Sequence, residues 1–276
     1  MTDRLFSFEF SAPKSEDAIA KVKKVHARLA ALSPHFFSVT YGAGGSTKDG
    51  TRQMVMDLAG TGSTVAPHLS FGGDDPGVIQ ALLESYREAG IRRLVALRGD
   101  RPSGIGGALQ MTHANELVSF IRETTGDHFH IDVAAYPEMH PESSSFESEI
   151  AYFKQKIDAG ANSAITQYFY NSDAYFHFVN ACAKAGINVP IVPGIMPITN
   201  YQGIVRFSSL CGAEIPRWIE KHLVSYQDDP ESLRNFGDEV VTRLCEQLLA
   251  GGAPGLHFYT LNQAAPTLRI WNNLGL

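Results

Sequence analysis

The sequence predicts an α/β fold: a (β/α)8 TIM barrel in one domain covering residues 1–276. Three observations carry that expectation. Eight short β-rich runs recur along the chain with helical segments between them. Most of those runs are unbroken apolar stretches rather than strict alternations, as strands buried on both faces require. The chain has 276 residues with 44% hydrophobic content, close to the ~250 residues typical of such a barrel, and at this size roughly 75% of the unfolded surface is buried without help from staples.

The expected strands are Leu5–Phe10, Phe36–Tyr41, Val65–Phe71, Arg93–Leu97, His130–Tyr136, Ala164–Tyr170, Pro190–Met196 and Leu256–Thr260. Between the first two, Asp17–Leu32 places apolar residues at 18, 19, 22, 25, 29 and 32, near a 3.6-residue period. Pro76–Ala89 starts with a proline suited to a first helical turn and stops before Gly90. Ser148–Ala159 stops before Gly160, and Asp173–Ala185 before Gly186. The long interval before the last strand accommodates Tyr201–Leu210, Arg217–Ser225 and Glu231–Ala250. A doubly wound nucleotide-binding sheet is the competing architecture. It would place G-x-G-x-x-G after the first strand, where this chain has Ser11-Ala12-Pro13-Lys14.

Composition narrows the function. Net charge is −6 with no long basic run, which disfavours a nucleic-acid partner. No apolar run reaches membrane-spanning length, and the first residues lack a signal peptide's apolar centre, so a cytoplasmic location is expected. There the tripeptide Arg98-Gly99-Asp100 has no adhesion role to play. Cys182, Cys211 and Cys245 are far apart and odd in number, which argues against a disulfide framework or zinc ribbon. Glu138-x-His140-x-Glu142 imitates metal-ligand spacing, but it lies in a proline-flanked loop without further ligands, and no metal is expected.

In a barrel, catalytic groups stand at the C-terminal ends of the strands. Those ends carry Glu9, Thr40-Tyr41, His68, Arg98-Gly99-Asp100, Tyr136, Gln167 and Tyr259. Glu9, between two phenylalanines, is either an ion-paired structural residue or a general acid with a pKa raised by desolvation. Asp100 either caps its loop or faces a ligand, and Gly99 allows close backbone approach. His68 is a core histidine or a ligand contact. Gln167 either satisfies backbone groups or binds substrate.

Phe8-Glu9-Phe10, Val39-Thr40-Tyr41-Gly42-Ala43, Ala66-Pro67-His68-Leu69, Ala96-Leu97-Arg98-Gly99-Asp100, Ala135-Tyr136-Pro137-Glu138-x-His140-Pro141, Asp158-Ala159-Gly160-Ala161-x-x-Ala164-Ile165-Thr166-Gln167, Pro193-Gly194-Ile195-Met196-Pro197 and His257-Phe258-Tyr259-Thr260-Leu261-Asn262 occur in that order. Together they resemble the methylenetetrahydrofolate reductases, from about residue 5 to about residue 262. The resemblance implies a bacterial-type catalytic barrel without the regulatory C-terminal domain of eukaryotic members. It implies noncovalent FAD, NADH or NADPH as co-substrate, a folate substrate and a homo-oligomer. Hydride would pass from nicotinamide to flavin to 5,10-methylenetetrahydrofolate in ping-pong order, giving 5-methyltetrahydrofolate. Glu9 would be the general acid and Asp100 the carboxylate beside flavin and pterin. Gln167 and Phe207 would contact substrate. Thr40, His68, Arg98, Gly99, Asp100, His113, Ala114, Tyr136, His140, Glu142 and Lys156 would contact FAD. The same motifs would also suit methyltetrahydrofolate oxidation, or a flavin- or folate-binding barrel without turnover. Ser11-Ala12, His113, Glu149, Tyr152 and Gln263 depart from the family's commoner residues.

Overall fold

A computed structural model describes residues 4–41, 48–71, 75–98 and 113–276, with side chains from residue 50 in the second of these segments. The expected strands are all present, mostly trimmed at their ends: β1 Leu5–Phe10, β2 Phe36–Val39, β3 Val65–Leu69, β4 Arg93–Ala96, β5 His130–Ala135, β6 Ser163–Thr166, β7 Ile191–Val192, β8 Gly194–Ile195 and β9 Gly255–Tyr259. The helices are α1 Glu16–Ala30, α2 Lys48–Ala59, α3 Pro76–Glu88, α4 Ala114–Thr125, α5 Phe146–Asp158, α6 Ser172–Lys184, α7 Tyr201–Cys211, α8 Arg217–Ser225, α9 Pro230–Ala250 and α10 Ala264–Asn273.

Capping explains several of the helix starts. Ser15, Asp75, Asn171, Asn200 and Asp229 each accept a backbone N–H of the following first turn, which satisfies donors the helix itself leaves unpaired. Three helices have no counterpart in the sequence reading. Of these, α10 carries Pro266 and Thr267 in its first turn, residues of low helix propensity. Strand six ends at Thr166 rather than Tyr170, because apolar residues continue past the ladder into the βα loop.

The strands are hydrogen-bonded in the order β7-β6-β5-β4-β3-β2-β1-β9-β8. Pairing is parallel, with Glu9 opposite Ser38, His68 opposite Val95 and Gly194 opposite His257. The two terminal members, β7 and β8, are separated in the chain by Pro193 alone. They are the halves of one interrupted strand, so the order is circular, which is the order of a (β/α)8 barrel. The expected unbroken strand Pro190–Met196 is therefore corrected: proline has no N–H to give the ladder, and pairing lapses at Pro193.

The chain packs as two compact units. In the unit of Ser7–Ala134 and Gln155–Ala164, Phe10 stacks on Phe37 at 5.6 Å and His26 meets the edge of Phe37 at 4.5 Å. In the unit of Met1–Phe6, Ala135–Lys154 and Ile165–Leu276, Phe6 meets Trp271 at 4.9 Å and Phe153 packs on Phe178 at 5.5 Å. All three cysteines are free, and burial pushes Cys182 up to about 12. Among the described residues no helix is long and apolar enough to cross a membrane.

The N-terminal ends of β4, β5 and β6 share a buried polar network. Arg93 donates from Nε to Asp132 Oδ2 at 2.6 Å and from Nη2 to Oδ1 at 2.9 Å. Ser163 Oγ donates to Asp132 Oδ1 at 2.5 Å, and His130 Nε2 lies 2.6 Å from the same hydroxyl. The Arg93 guanidinium also sits 4.0 Å above the Phe36 ring. Burial pushes the Asp132 carboxyl up, but hydrogen bonding to His130, the Arg93 charge and the Arg93 and Ser163 hydrogen bonds outweigh it and hold the group at about 2.

Asp132→Ala is expected to cost about 3–5 kcal/mol in urea unfolding, because the Arg93 charge loses its compensation. A folded pKa below the unfolded value gives stability that is present above about pH 4 and lost as pH falls through about 2. Wild-type unfolding free energy should decline across that window, and Asp132→Asn should flatten the decline. A cost under about 1 kcal/mol would remove the network as a stabilising element.

Candidate active site

In the unit containing Ser7–Ala134, β1 and β3 bring Glu9 and His68 together. Glu9 Oε2 lies 3.3 Å from His68 Nε2, with side-chain exposures of 15% and 8%. The approach is within ion-pair distance but makes no hydrogen bond, so buried His68 Nε2 has no hydrogen-bond partner among the described residues. The Ser38 hydroxyl, on the β2 residue registered with Glu9, is likewise buried without one. An unpaired buried donor or acceptor costs free energy, and such atoms are where a polar ligand gains most.

Thr40 follows β2 and is fixed on several sides. Its N–H donates to Phe10 O at 2.9 Å, its hydroxyl accepts from Ala12 N at 3.1 Å, and its carbonyl accepts from Thr51 Oγ1 at 2.9 Å. Arg98 is half-buried just past β4. Lys156, in the last turn of α5, donates to Ala134 O of β5 at 2.6 Å. His113 is exposed as N-cap of α4, its N–H donating to Glu116 Oε2 at 2.8 Å, and Ala114 is the first residue of that helix. Gly99 and Asp100 lie outside the described residues.

In the other unit, the β5–α5 loop holds Tyr136 and His140 edge to face, with ring centroids 4.7 Å apart. His140 Nδ1 accepts the Glu142 N–H at 3.1 Å. A neutral imidazole therefore carries its proton on Nε2, which becomes a donor. Buried Glu149 holds the loop, accepting from His140 N at 3.1 Å and Ser143 Oγ at 2.6 Å. Gln167 Oε1 accepts from Tyr168 N at 3.0 Å, which leaves the amide NH2 as its outward-acting group. Phe207 is half-buried on α7, with the Arg206 guanidinium 5.6 Å from its ring centroid.

Strand seven comes very close to its neighbours in this unit. Gly194 N donates to Thr166 Oγ1 at 2.9 Å, and Tyr259 Oη donates to Thr166 O at 2.7 Å. A Cβ at Gly194 would lie 2.2 Å from Thr166 O and 2.8 Å from Tyr259 Oη.

A model of the family described as "Methylenetetrahydrofolate reductase" matches residues 1–275.

This chain belongs to the methylenetetrahydrofolate reductase family.

It is similar to "Methylenetetrahydrofolate reductase (NADH) 1" of Arabidopsis thaliana, with 39% identity over 98% of the chain and 48% of that protein. It is also similar to "5,10-methylenetetrahydrofolate reductase" of Escherichia coli, with 37% identity over 98% of the chain and 90% of that protein. The chain thus spans about half the length of the plant relatives it matches and most of the bacterial one. Among solved structures, a Clostridium thermocellum protein that binds two copies of 5-methyl-5,6,7,8-tetrahydrofolic acid aligns over 99% of this chain and 94% of its own, with TM-score 0.69 and 17% identity. At that identity the likeness concerns the fold alone.

Neither the contact of Arg206 with Phe207 nor the setting of Glu138 is legible in residue spacing. Among the described residues no group of acids, histidines and cysteines is arranged to hold a metal. Glu138 has a different setting, and the visible signal was a carboxylate confined between Pro137 and Pro141. A groove of about 890 Å³ lined by Asp238, Thr242, Arg269 and Asn273 lies between α9 and α10 and includes none of the strand-end residues.

Gly194→Ala should destabilise the protein by at least about 1–3 kcal/mol in urea unfolding, since the added methyl meets fixed backbone rather than a movable side chain. A neutral effect would show that the Thr166–Gly194–Tyr259 contact yields freely.

Proposed function

We propose that the chain is a single catalytic domain interconverting 5,10-methylenetetrahydrofolate and 5-methyltetrahydrofolate, with FAD as bound cofactor and a reduced nicotinamide as co-substrate. Family membership supports the reaction. The observation in this chain that carries the reading is the Glu9–His68 pair: a largely enclosed carboxyl 3.3 Å from an imidazole nitrogen that has no hydrogen-bond partner among the described residues. NADH or NADPH is the reductant, and the plant relatives carry NADH in their names.

The donor set suits FAD. Arg98 and Lys156 supply cations for a diphosphate, while Thr40 and His68, and by the family resemblance His140, offer hydrogen bonds to a polar heterocycle or ribityl chain. Tyr136 supplies an aromatic face, the N-terminal Ala114 turn of α4 supplies backbone donors, and Glu142 accepts hydroxyls. Gly99 and Asp100 complete the set by resemblance. When bound, FAD supplies hydride transfer between nicotinamide and folate.

The chain's own residues do the rest. Glu9 holds the proton delivered to the ring nitrogen that leaves as the imidazolidine opens, and His68 orients its carboxyl. Gln167 directs its amide toward the pterin or the nicotinamide carboxamide. Phe207 packs on each substrate in turn. Asp100 supports the cationic iminium form of the folate electrostatically. The domain acts as a homo-oligomer in the cytoplasm, without nucleic-acid, membrane or metal partners.

Purified protein should show oxidised-flavin absorption with about one FAD per chain. A colourless protein that stays colourless after incubation with FAD would sink the proposal.

Glu9→Gln should slow reoxidation by methylenetetrahydrofolate by about 10²–10⁴-fold, the usual range for general acid catalysis. Reduction by nicotinamide should be largely spared, since only the folate step needs that proton. Anaerobic stopped-flow measures both half-reactions, and equal losses would make Glu9 a structural residue.

A further inference from the structure

Tyr136 and His140 lie on the loop that carries Glu138, and Phe207 lies on the helix that ends beside it. The loop turns sharply: Met139 has a left-handed φ of 71°, and its N–H donates to Tyr136 O at 3.1 Å. α7 ends with Gly212 in the left-handed region at φ 75°. There a Cβ would lie 3.0 Å from Pro141 Cγ and 3.9 Å from Met139 O. Loop and helix end are therefore in close contact, and a side chain at Gly212 would press on Pro141.

Glu138 spans the same contact. Its Oε2 accepts the Glu214 N–H at 2.8 Å, just past the end of α7. Its Oε1 is buried and has no hydrogen-bond partner among the described residues. The titratable groups facing it are the Glu214 carboxylate, the Tyr168 phenol and, behind that phenol, the Cys211 thiol. Tyr168 Oη in turn lies 2.9 Å from Ser208 Oγ on α7. None of these groups is cationic, and no described residue forms an ion pair with Glu138. One oxygen is tied across the interface, while the other is enclosed where an anion would need water.

We propose that Glu138 is a positioning residue, a carboxylic acid that when protonated clamps the Tyr136–Pro141 loop to the C-terminal end of the Phe207 helix and when ionised releases it. The consequence for substrate binding rests on the reading of Phe207 given above; the clamp itself does not. Burial pushes Glu138 up to about 7, against the Glu214 hydrogen bond and with added repulsion from the Glu214 carboxylate. A folded pKa above the unfolded one gives a contribution that is full below the ordinary carboxylate range and lost as pH rises through about 7. The charged form calls for hydration of Oε1, which is buried while the loop is closed.

The test is hydrogen–deuterium exchange of the purified full chain, followed by mass spectrometry of peptides covering residues 207–216 and corrected for base-catalysed exchange. Between about pH 6 and about pH 8 the ionised fraction of a group titrating near 7 rises about tenfold. Wild-type opening should rise by a similar factor. Glu138→Gln, uncharged throughout, should show no such rise. Gly212→Ala wedges the same contact apart and should raise exchange already at the lower pH, with little further change. The same pH dependence in wild type and Glu138→Gln, or protection in Gly212→Ala equal to wild type, would overturn the clamp. On the reading of Phe207, the KM for methylenetetrahydrofolate should rise with pH in wild type and stay flat in Glu138→Gln while kcat follows the same profile in both. If exchange behaves as stated and KM does not, the clamp stands and the placement of Phe207 on the substrate fails.

Discussion

Gly194 has no side chain, and the Thr166 carbonyl lies 2.2 Å from where a Cβ would stand. The circular strand order depends on that close approach. Strand seven is only two residues either side of Pro193, with β7 at one end of the ladder order and β8 at the other. Pro193 donates no hydrogen bond, yet its carbonyl accepts from His257 N at 3.0 Å, and Tyr175 Oη donates to Ile191 O at 2.8 Å. Hydroxyls of Thr166 and Tyr175 thus make up for a ladder too short to hold the strand alone. A parallel sheet without free edges leaves side chains no exit except at the strand ends, which is why chemistry gathers there.

The two kinds of strand end are used differently. At the N-terminal ends, Arg93, Asp132, Ser163 and His130 satisfy one another. A network so completely paired has little left to offer a ligand and serves stability. At the C-terminal ends, His68 and Ser38 keep buried polar atoms without hydrogen bonds among the described residues, and Gln167 has its amide oxygen engaged by Tyr168 N, which leaves the NH2 to donate. Cores seldom leave polar atoms unsatisfied without a functional reason.

Two carboxyls show how neighbours decide what burial alone does not. Asp132 is wholly enclosed, but Arg93, Ser163 and His130 hold it charged at about 2. Glu138 is less enclosed but faces another acid and a phenol, and it rises to about 7. Enclosure raises both groups, and only the first has a cation in contact to reverse the effect. One therefore behaves as fixed structure and the other as a group that titrates near neutrality.

By itself the sequence determined the βα rhythm, because apolar runs of strand length and helical periodicity are local properties. It also determined which polar residues stand at strand ends, since Glu9, Thr40, His68, Arg98 and Gln167 are read by counting along each run. The motifs carried the family, because their order survives even where each one is short. Tertiary structure alone decided that Pro193 divides strand seven, since a ladder lapses only in relation to its neighbours. It alone paired Glu9 with His68, 59 positions further on. It alone separated the fates of Asp132 and Glu138: a carboxyl's charge is set by what the fold brings within a few ångströms, and apart from His130 the hydrogen-bonding partners are dozens of residues away in the chain.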